Sequence, residues 1–271
     1  MTLTALQLTD GHFKKISRLV YESCGIKLKD GKEALVRARI MKRIRALGMG
    51  SFGDYIRYIE SDKGAQELGL MIDVMTTNKT SFFRESAHFD LLRDTILPDL
   101  KNGRMRIWSA ACSSGEEPFT ISIVLKENIP DIEHKDVRIL ATDISARMLA
   151  KAREASYSEE TVQNLPRPLL QKYFIRVQNG HAPAYRAKES IRALIKLAWL
   201  NLMAPWPMKG PFNIIFCRNV MIYFDRQTQQ RLINRFWDLL QPGGYLFVGH
   251  SEGLSSISHK FRYIKPAVYM K

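Results

Sequence analysis

The order of apolar and polar residues after position 90 limits the fold of this 271-residue chain more than any other feature. Short apolar runs, which predict buried strands, alternate with stretches that carry apolar side chains at helical spacing. We predict strands at 104–109, 137–142, 212–217 and 245–248, with helices at 116–128, 145–154 and 227–240. This alternation is typical of a parallel sheet with crossover helices, an α/β fold.

The first 85 residues show a different pattern, that of helices joined by short connections. Phe13, Ile16 and Val20 lie at helical spacing and predict a first helix, which Gly25 ends. Between about 174 and 200, an Asn-Gly pair and short apolar stretches interrupt the later alternation of strands and helices. This interruption indicates a small antiparallel insertion, and a helix over 191–200 is the alternative.

The charge of the chain narrows the class of partner. Lysine and arginine number 41 against 27 acidic residues, a formal charge of +14, which indicates nucleic acid, an acidic protein surface or a membrane face. No apolar run approaches the ~20 residues of a membrane span, and the N-terminus lacks the apolar core of a signal peptide. The three cysteines are scattered and include no CxxC pair, so we expect a cytoplasmic protein without disulfides or a metal.

Polar residues follow two of the predicted strands. After the first strand comes the turn SAACSSGEEP, with one glycine before Glu116 and Glu117. Two carboxylates disfavour phosphate but suit a cationic or hydroxylated ligand, and Asp143, at the end of the next strand, is placed to bind a ribose. Together the sites predict an adenosine-bearing ligand without phosphate recognition, S-adenosylmethionine. Taken alone, the SAACSSGEEP turn and Asp143 are each as typical of an ordinary capped helix as of a ligand site.

Two further segments carry side chains suited to a site. CRNVMIYF follows the strand at 212–217 and places Arg218, Asn219 and Tyr223 beyond its end. The alternative is that Tyr223 and Phe224 are core aromatics. TTNKTSFFRE, at the junction of the two halves, contains Arg84 directly after two aromatics, which is unusual for a plain linker.

These segments together resemble the chemotaxis receptor glutamate methyltransferases, the CheR family. TTNxTxFFRE, SAACSSGEEP, ATDIS, the Asn201-Leu202 pair, FCRNVMIYF and GHSE occur in the family's order across nearly the whole chain. The resemblance implies a Rossmann-like S-adenosylmethionine methyltransferase domain with a small antiparallel β-subdomain, preceded by an all-α N-terminal domain. The implied boundaries are 1–76 for the helical domain, 77–90 for a linker contributing to the cofactor site, and 91–271 for the α/β domain, with the β-subdomain at about 174–200.

The resemblance also implies roles for particular residues. Arg84 and Tyr223 are expected to be catalytic, with Tyr223 near the transferable methyl group. The expected cofactor-binding residues are Asn78, Thr80, Arg84, Glu116, Glu117, Asp143, Asn201, Leu202, Arg218 and Asn219. Of these, Asp143 is expected to hold the ribose and the Asn201-Leu202 pair to border the adenine, and one of the two glutamates faces the methionyl end.

The implied reaction is methyl transfer from S-adenosylmethionine to the γ-carboxylate of receptor glutamates, which gives glutamyl methyl esters and S-adenosylhomocysteine. A glutamate with a pKa near ~4.3 is already ionised at pH 7, so the site needs no general base. The six histidines are therefore expected to be structural or surface residues, although His88 and His250 lie in or beside the motifs.

The implied partner is the cytoplasmic domain of a chemoreceptor, with no nucleic acid and no membrane insertion. Arg39, Lys42 and Arg43 share a face of the predicted second helix, opposite its apolar stripe, and form the expected docking surface. A solvated charged face is the alternative. The family's β-subdomain can also tether a receptor's C-terminal peptide.

Two other functions are alternatives to this one. A nucleic-acid methyltransferase is disfavoured because CRNV stands where adenine N6 enzymes carry (N/D)PPY, and no cysteine follows a proline as in cytosine C5 enzymes. A non-catalytic S-adenosylmethionine-binding adaptor is the second alternative.

Overall fold

The computed structural model describes residues 7–99, 103–179 and 182–271, and the chain folds as two compact units. The helical unit extends to Thr77 and includes Tyr223–Thr228, whereas the α/β unit contains the remaining residues. In the described part of the chain, no helix is both long and apolar enough to cross a membrane.

The helical unit begins with four helices in the described residues: α1 (Asp10–Cys24), α2 (Glu33–Ala46), α3 (Phe52–Ile59) and α4 (Ala65–Met75). The Thr9 hydroxyl caps α1 by accepting a hydrogen bond from the His12 amide, and α1 ends at Gly25, where a φ of 74° suits glycine. Because α1 packs against α3 and α2 against α4, their apolar faces form the core of this unit.

A buried carboxylate joins three of these helices. Glu67 of α4 is 4% exposed and accepts hydrogen bonds from Arg43 Nε and Nη2 of α2, at 2.8 and 2.7 Å. The Tyr55 hydroxyl of α3 donates to the same carboxylate at 2.8 Å. Hydrogen bonding to Glu67 raises the pKa of Arg43, so the guanidinium is held in its charged form.

A distant segment, Tyr223–Thr228, completes the helical unit. The backbone of Phe224 pairs with that of Ile26 in an isolated antiparallel bridge. The Tyr21 hydroxyl of α1 donates a hydrogen bond to Asp225 Oδ2 at 2.6 Å, and this bond lowers the pKa of the Asp225 carboxyl. The segment is therefore fixed to the unit by both backbone and side-chain contacts.

The described part of the α/β unit contains the strands β1 (Met105–Ala110), β2 (Val137–Asp143), β3 (Ser156–Ser158), β4 (Phe174–Asn179), β5 (Ala182–Ala187), β6 (Ile195–Trp199), β7 (Phe212–Cys217), β8 (Leu240–Val248), β9 (Arg262–Lys265) and β10 (Val268–Met270). Seven of them form one sheet in the order β6-β2-β1-β7-β8-β10-β9. The strands from β6 to β8 are parallel, and β10 and β9 pair in antiparallel fashion. The predicted α/β fold class is confirmed.

In the described residues after α4, two α-helices precede β1, and six lie between successive strands: α5 (Ala87–Leu91), α6 (Leu97–Asp99), α7 (Glu116–Asn128), α8 (Ala146–Glu154), α9 (Glu159–Val162), α10 (Arg167–Tyr173), α11 (Glu189–Arg192) and α12 (Arg226–Leu239). Every residue of β7 is buried, as expected for the centre of a parallel sheet covered on both faces. Phe216 of β7 stacks on Phe247 of β8, with ring centroids 4.4 Å apart. The core therefore lies directly behind the ends of the central strands.

A separate antiparallel sheet has the order β3-β5-β4. Its extent differs from the predicted β-subdomain at about 174–200. The sheet includes Ser156–Ser158, which the prediction omitted, and it excludes β6, which pairs in parallel with β2. Because β6 is an edge strand of the main sheet, its partly exposed side chains resemble the pattern of an antiparallel strand.

Candidate active site

The carboxyl ends of the central strands lie side by side at one edge of the main sheet. The register pairs Ser109 with both Ala141 and Phe216, and Cys217 with Val248. Ligands of open α/β sheets bind outside this edge. The residues that follow these strands therefore define the candidate site.

The loop between β1 and α7 is a tight turn of small residues. Ala111, Ser113 and Gly115 have left-handed backbones, with φ of 69°, 49° and 99°. A Cβ on Gly115 would lie 3.0 Å from the Tyr157 hydroxyl and 3.1 Å from Ala152 Cβ, so both conformation and space require glycine there. The small residues keep bulk away from the start of α7, where free amide groups favour a polar ligand.

Asp143, at the end of β2, is 6% exposed and holds this loop. Its Oδ2 accepts a hydrogen bond from the Ser113 amide at 2.7 Å, and its Oδ1 accepts one from the Ser145 amide at 2.8 Å. Ser145 itself caps α8 by accepting from the Met148 amide, so Asp143 is not the cap of that helix. A carboxylate fixed at this strand end is positioned to accept hydrogen bonds from ribose hydroxyls.

The two glutamates at the start of α7 have different partners. Glu117 Oε1 accepts from the Ser109 hydroxyl at 2.7 Å, and Glu117 Oε2 lies 3.1 Å from Arg218 Nη1. The Glu116 oxygens lie 2.8 and 3.0 Å from the Ser114 hydroxyl. Burial raises the pKa of both carboxyls. Each carboxylate is thus more stable when a positive charge lies nearby.

Arg218, the first residue after β7, has a side chain that is 2% exposed. In addition to Glu117, its guanidinium binds Glu85 Oε2 at 3.0 Å and donates to the Arg84 carbonyl through Nη2. Burial opposes ionisation of Glu85, but the Arg218 charge and the Asn219 amide outweigh burial, so the pKa of Glu85 is lowered. One guanidinium therefore connects the segment that ends in Glu85 to α7.

Asn219 adopts a left-handed conformation, with φ of 59°. Its backbone amide donates to Glu252 Oε2 at 2.6 Å, and its side-chain Nδ2 donates to Glu85 Oε1 at 3.2 Å. Glu252 is 7% exposed and also accepts from the amides of Gly249 and Ile222, at 2.6 and 3.1 Å. Burial raises the pKa of Glu252. These contacts join the loops that follow β7 and β8.

The segment 78–85 contacts the β1–α7 loop through its backbone. The Asn78 carbonyl accepts a hydrogen bond from the Ser113 hydroxyl at 3.0 Å. The Arg84 guanidinium donates to a backbone carbonyl within its own segment at 2.7 Å, and Thr80 is half-buried. Asn78 and Arg84 therefore belong to the connected loops around the strand ends.

The Asn201-Leu202 pair follows β6 and lies next to Asp143 in the fold. The Leu200 amide donates to the Asp143 carbonyl at 3.1 Å. Asn201 Oδ1 accepts from the Met203 amide at 2.9 Å, which stabilises the turn, and Leu202 is buried. The structure thus brings the predicted adenine-side and ribose-side residues together.

Tyr223 belongs to the helical unit. Its side chain is half-buried, and its carbonyl accepts a hydrogen bond from the Lys27 amide at 2.9 Å. The catalytic role implied for Tyr223 by the family resemblance stays a prediction.

Two of the three predicted docking residues make contacts within the helical unit. Arg39 Nη1 donates to the last carbonyl of α4 at 2.6 Å, and the carboxyl end of a helix favours a cation. Arg43 is bound to the buried carboxylate of Glu67 in α4. Lys42 is exposed, as are Arg37 and Arg45, which the predicted set omits. We define these three exposed residues as the basic face of α2.

The sequence pattern indicated no role for Glu85, Glu252 or Ser109. Glu85 and Glu252 end the motifs TTNxTxFFRE and GHSE, so their positions were visible in the sequence. Their partners were not, because Glu85 and Arg218 are 133 residues apart.

Comparison with known proteins identifies the protein family to which the chain belongs. Residues 78–270 match the family described as "CheR methyltransferase, SAM binding domain", and residues 11–76 match "CheR methyltransferase, all-alpha domain". A strand-end site in an α/β unit with this match defines an S-adenosylmethionine-dependent methyltransferase. The chain belongs to the CheR family, which confirms the resemblance and the cofactor inferred from the motifs.

Named relatives cover nearly the full length of the chain. The chemotaxis protein methyltransferase of Escherichia coli (strain K12) is 41% identical over 265 residues, which cover 97% of this chain and 92% of that protein. The chemotaxis protein methyltransferase of Borreliella burgdorferi is 40% identical over 278 residues, 98% of this chain and 96% of that protein. Among solved structures, the glycopeptide N-methyltransferase MtfA complexed with sinefungin is 13% identical, and the match covers 63% of this chain and 50% of the MtfA chain. Its TM-score of 0.37 is too low to show a shared fold.

Gly115→Ala is expected to raise the Kd for S-adenosylmethionine at least about tenfold, equivalent to about 1.4 kcal/mol. The added Cβ meets Tyr157 and Ala152 and displaces the loop held by Asp143. Gly243 is the matched control, since it has a φ of 75° but nothing within 4 Å of a Cβ. Gly243→Ala is expected to cost about 1 kcal/mol of stability and to keep the cofactor affinity. Calorimetric titration measures both Kd values, and an unchanged Kd for Gly115→Ala contradicts the assignment of this loop.

Proposed function

We propose that this protein transfers the methyl group of S-adenosylmethionine to the γ-carboxylate of glutamates in the cytoplasmic domain of a chemoreceptor. The main support is the set of carboxylates at the strand ends, the buried Glu116 and Asp143 and the largely buried Glu117, beside a turn without a phosphate-binding glycine pattern. Such a donor set fits a ligand that carries positive charge and ribose hydroxyls, and it opposes a phosphorylated one.

S-adenosylmethionine would supply a methyl group bound to a positively charged sulfur. The acceptor oxygen would bond to the methyl carbon, and the S–CH₃ electron pair would remain on sulfur. The acceptor carboxylate is ionised at pH 7, and no protein group has to remove a proton. The chain's contribution is therefore positioning, which can supply up to about 7–11 kcal/mol, together with exclusion of water.

We assign the residues as follows. Asp143 holds the ribose, Glu116 and Glu117 face the cationic end of the cofactor, and Arg84 fixes a carboxylate. Tyr223 orients the acceptor. Asn78, Thr80, Asn201, Leu202, Arg218 and Asn219 complete the cofactor site. The contacts of Arg218 with Glu117 and Glu85 support this assignment, because they hold the surrounding loops in one arrangement.

The basic face of α2 is the proposed docking surface for the acidic methylation helices of the receptor. Arg37, Lys42 and Arg45 are exposed, so an anionic partner can reach their charges. Arg39 and Arg43 are proposed to support this face rather than to form it, since their guanidinium groups bind backbone carbonyls and a carboxylate.

Incubation with labelled S-adenosylmethionine and a receptor cytoplasmic fragment is expected to place the label on protein, and mild alkali is expected to release it as methanol. Glutamyl methyl esters are base-labile, whereas methylated bases are stable. Asp143→Asn is expected to abolish most transfer through weaker cofactor binding. Asp238→Asn, an exposed residue of α12, is the matched control and is expected to retain transfer. Stable label on added nucleic acid contradicts the proposal, as does measurable cofactor binding without transfer to any receptor fragment.

Glu116→Gln is expected to raise the Kd for S-adenosylmethionine and to flatten its pH dependence. Burial raises the pKa of Glu116. As the pH decreases towards that pKa, the wild-type carboxylate becomes protonated and its affinity for a cation falls. Calorimetric titration at several pH values measures the effect. Glu117→Gln is the comparison variant, and it is expected to lower stability as well because Arg218 loses a counter-charge. Parallel pH profiles for Glu116→Gln and wild type contradict a cation-facing role for Glu116.

The double variant Lys42→Glu/Arg45→Glu is expected to raise the KM for the receptor fragment several-fold with little change in kcat, because like charges repel the acidic partner. Lys63→Glu is the control, an exposed charge of the same unit outside α2. Added salt is expected to raise the wild-type KM and to narrow the difference between variants. If the control raises the KM as much as the double variant, net charge rather than this face governs docking.

A further inference from the structure

One group of side chains in the α/β unit is not used by the proposed reaction. Glu85, His88 and His250 each offer a ligand atom, and these atoms all lie within 4.8 Å of one another. We propose that Glu85, His88 and His250 form a binding site for a transition-metal dication of the Zn²⁺ type, and that an ion there opposes binding of the cofactor. The sequence predicted no metal, since cysteine spacing was the signal available.

His88 is the main support for this site. It is 2% exposed, and neither ring nitrogen makes a well-aligned hydrogen bond in the described residues, although the Pro266 carbonyl lies close enough to accept weakly from one ring N–H and leaves the other nitrogen unused. Buried polar atoms without a partner are rare, because each costs about 1–3 kcal/mol. The nearest rings are those of Phe247 and His250, with centroids 5.4 and 4.9 Å away. The ring therefore has unused ligand capacity directed into the cluster.

The spacing of the donor atoms fits a shared ion. His88 Nδ1 lies 3.6 Å from Glu85 Oε2, which is too long for a hydrogen bond. Two ligands at about 2.0–2.2 Å from one tetrahedral zinc ion are roughly 3.3–3.6 Å apart. His250 is exposed, so its side chain can adjust its position and gives solvent access to the site.

The donor types indicate which ion the site prefers. Two imidazoles and one carboxylate, with a fourth position open, form a set that proteins use for zinc. Imidazole ligands favour Zn²⁺, Ni²⁺ and Cu²⁺ over Mg²⁺ and Ca²⁺, which prefer oxygen. The Asn219 amide binds Glu85 Oε1 at 3.2 Å and so orients the other oxygen towards the histidines.

Arg218 is the group that opposes a cation here, because its Nη2 lies 3.0 Å from Glu85 Oε2. Two further carboxylates, those of Glu117 and Glu252, belong to the same connected loops, so three carboxylates stand against the guanidinium groups of Arg218 and Arg84. An ion would share Glu85 with Arg218 and weaken the contact that connects the segment 78–85 to α7. Because coupling between two sites is reciprocal, metal and cofactor are expected to weaken each other's binding.

The test is calorimetric titration of the untagged full-length protein with ZnCl₂, with MgCl₂ as the comparator. We expect one saturable Zn²⁺ site, no comparable Mg²⁺ binding, and at least about a tenfold higher Kd for Zn²⁺ in His250→Asn. His250 is exposed, so this variant should fold, which thermal unfolding checks. His134→Asn removes an exposed imidazole elsewhere and is expected to keep the wild-type Kd. The Co²⁺ form is expected to lack thiolate charge-transfer absorption, since the three cysteines take no part.

The coupling is measured as the Kd for S-adenosylmethionine with and without saturating Zn²⁺. We expect an increase of at least about fivefold in the wild type and a smaller one in His250→Asn at the same Zn²⁺ concentration. Absence of saturable Zn²⁺ binding, equal Zn²⁺ affinity in His250→Asn and wild type, or thiolate absorption overturns the site. Unchanged cofactor affinity at saturating Zn²⁺ overturns the coupling. None of these measurements depends on methyl transfer, so the proposed function is tested independently.

Discussion

The buried guanidinium of Arg218 is the contact on which the arrangement of the strand-end loops depends. It lies between Glu117 and Glu85 and also binds the Arg84 carbonyl, so three segments far apart in sequence meet at one side chain. Such ion pairs add little net stability, because desolvation of both partners opposes their attraction, but loss of one partner costs about 3–5 kcal/mol. The pairing therefore specifies one arrangement of the loops more than it strengthens the fold.

The same loops concentrate carboxylates in surroundings that are largely shielded from water. Burial raises the pKa values of Glu117 and Glu252, and Asp143 is buried at the end of β2. A site built this way is disfavoured when empty of positive charge and is stabilised when a cation enters. Both proposals, a sulfonium cofactor and a competing dication, rest on this preference of buried carboxylates for a nearby positive charge.

The sequence predicted the features that depend on the local order of apolar and polar residues. Apolar runs located β1, β2, β7 and part of β8, and the motifs located most of the loops at the strand ends. Helical periodicity placed Arg39, Lys42 and Arg43 on one face of α2, but it could not show that α4 presents a carboxylate and a helix end to two of them. The limits of the small sheet were missed for a similar reason, because exposure of an edge strand depends on which sheet it joins.

The position of Tyr223–Thr228 has a consequence for how the chain is made. These residues complete the helical unit through Phe224 and Asp225, yet they are synthesised after the strands β1 to β7. During translation the N-terminal helices emerge first but lack one of their own segments until residue 228 has left the ribosome. The two units therefore finish folding in interleaved order, and no single cut in the polypeptide separates them into complete halves.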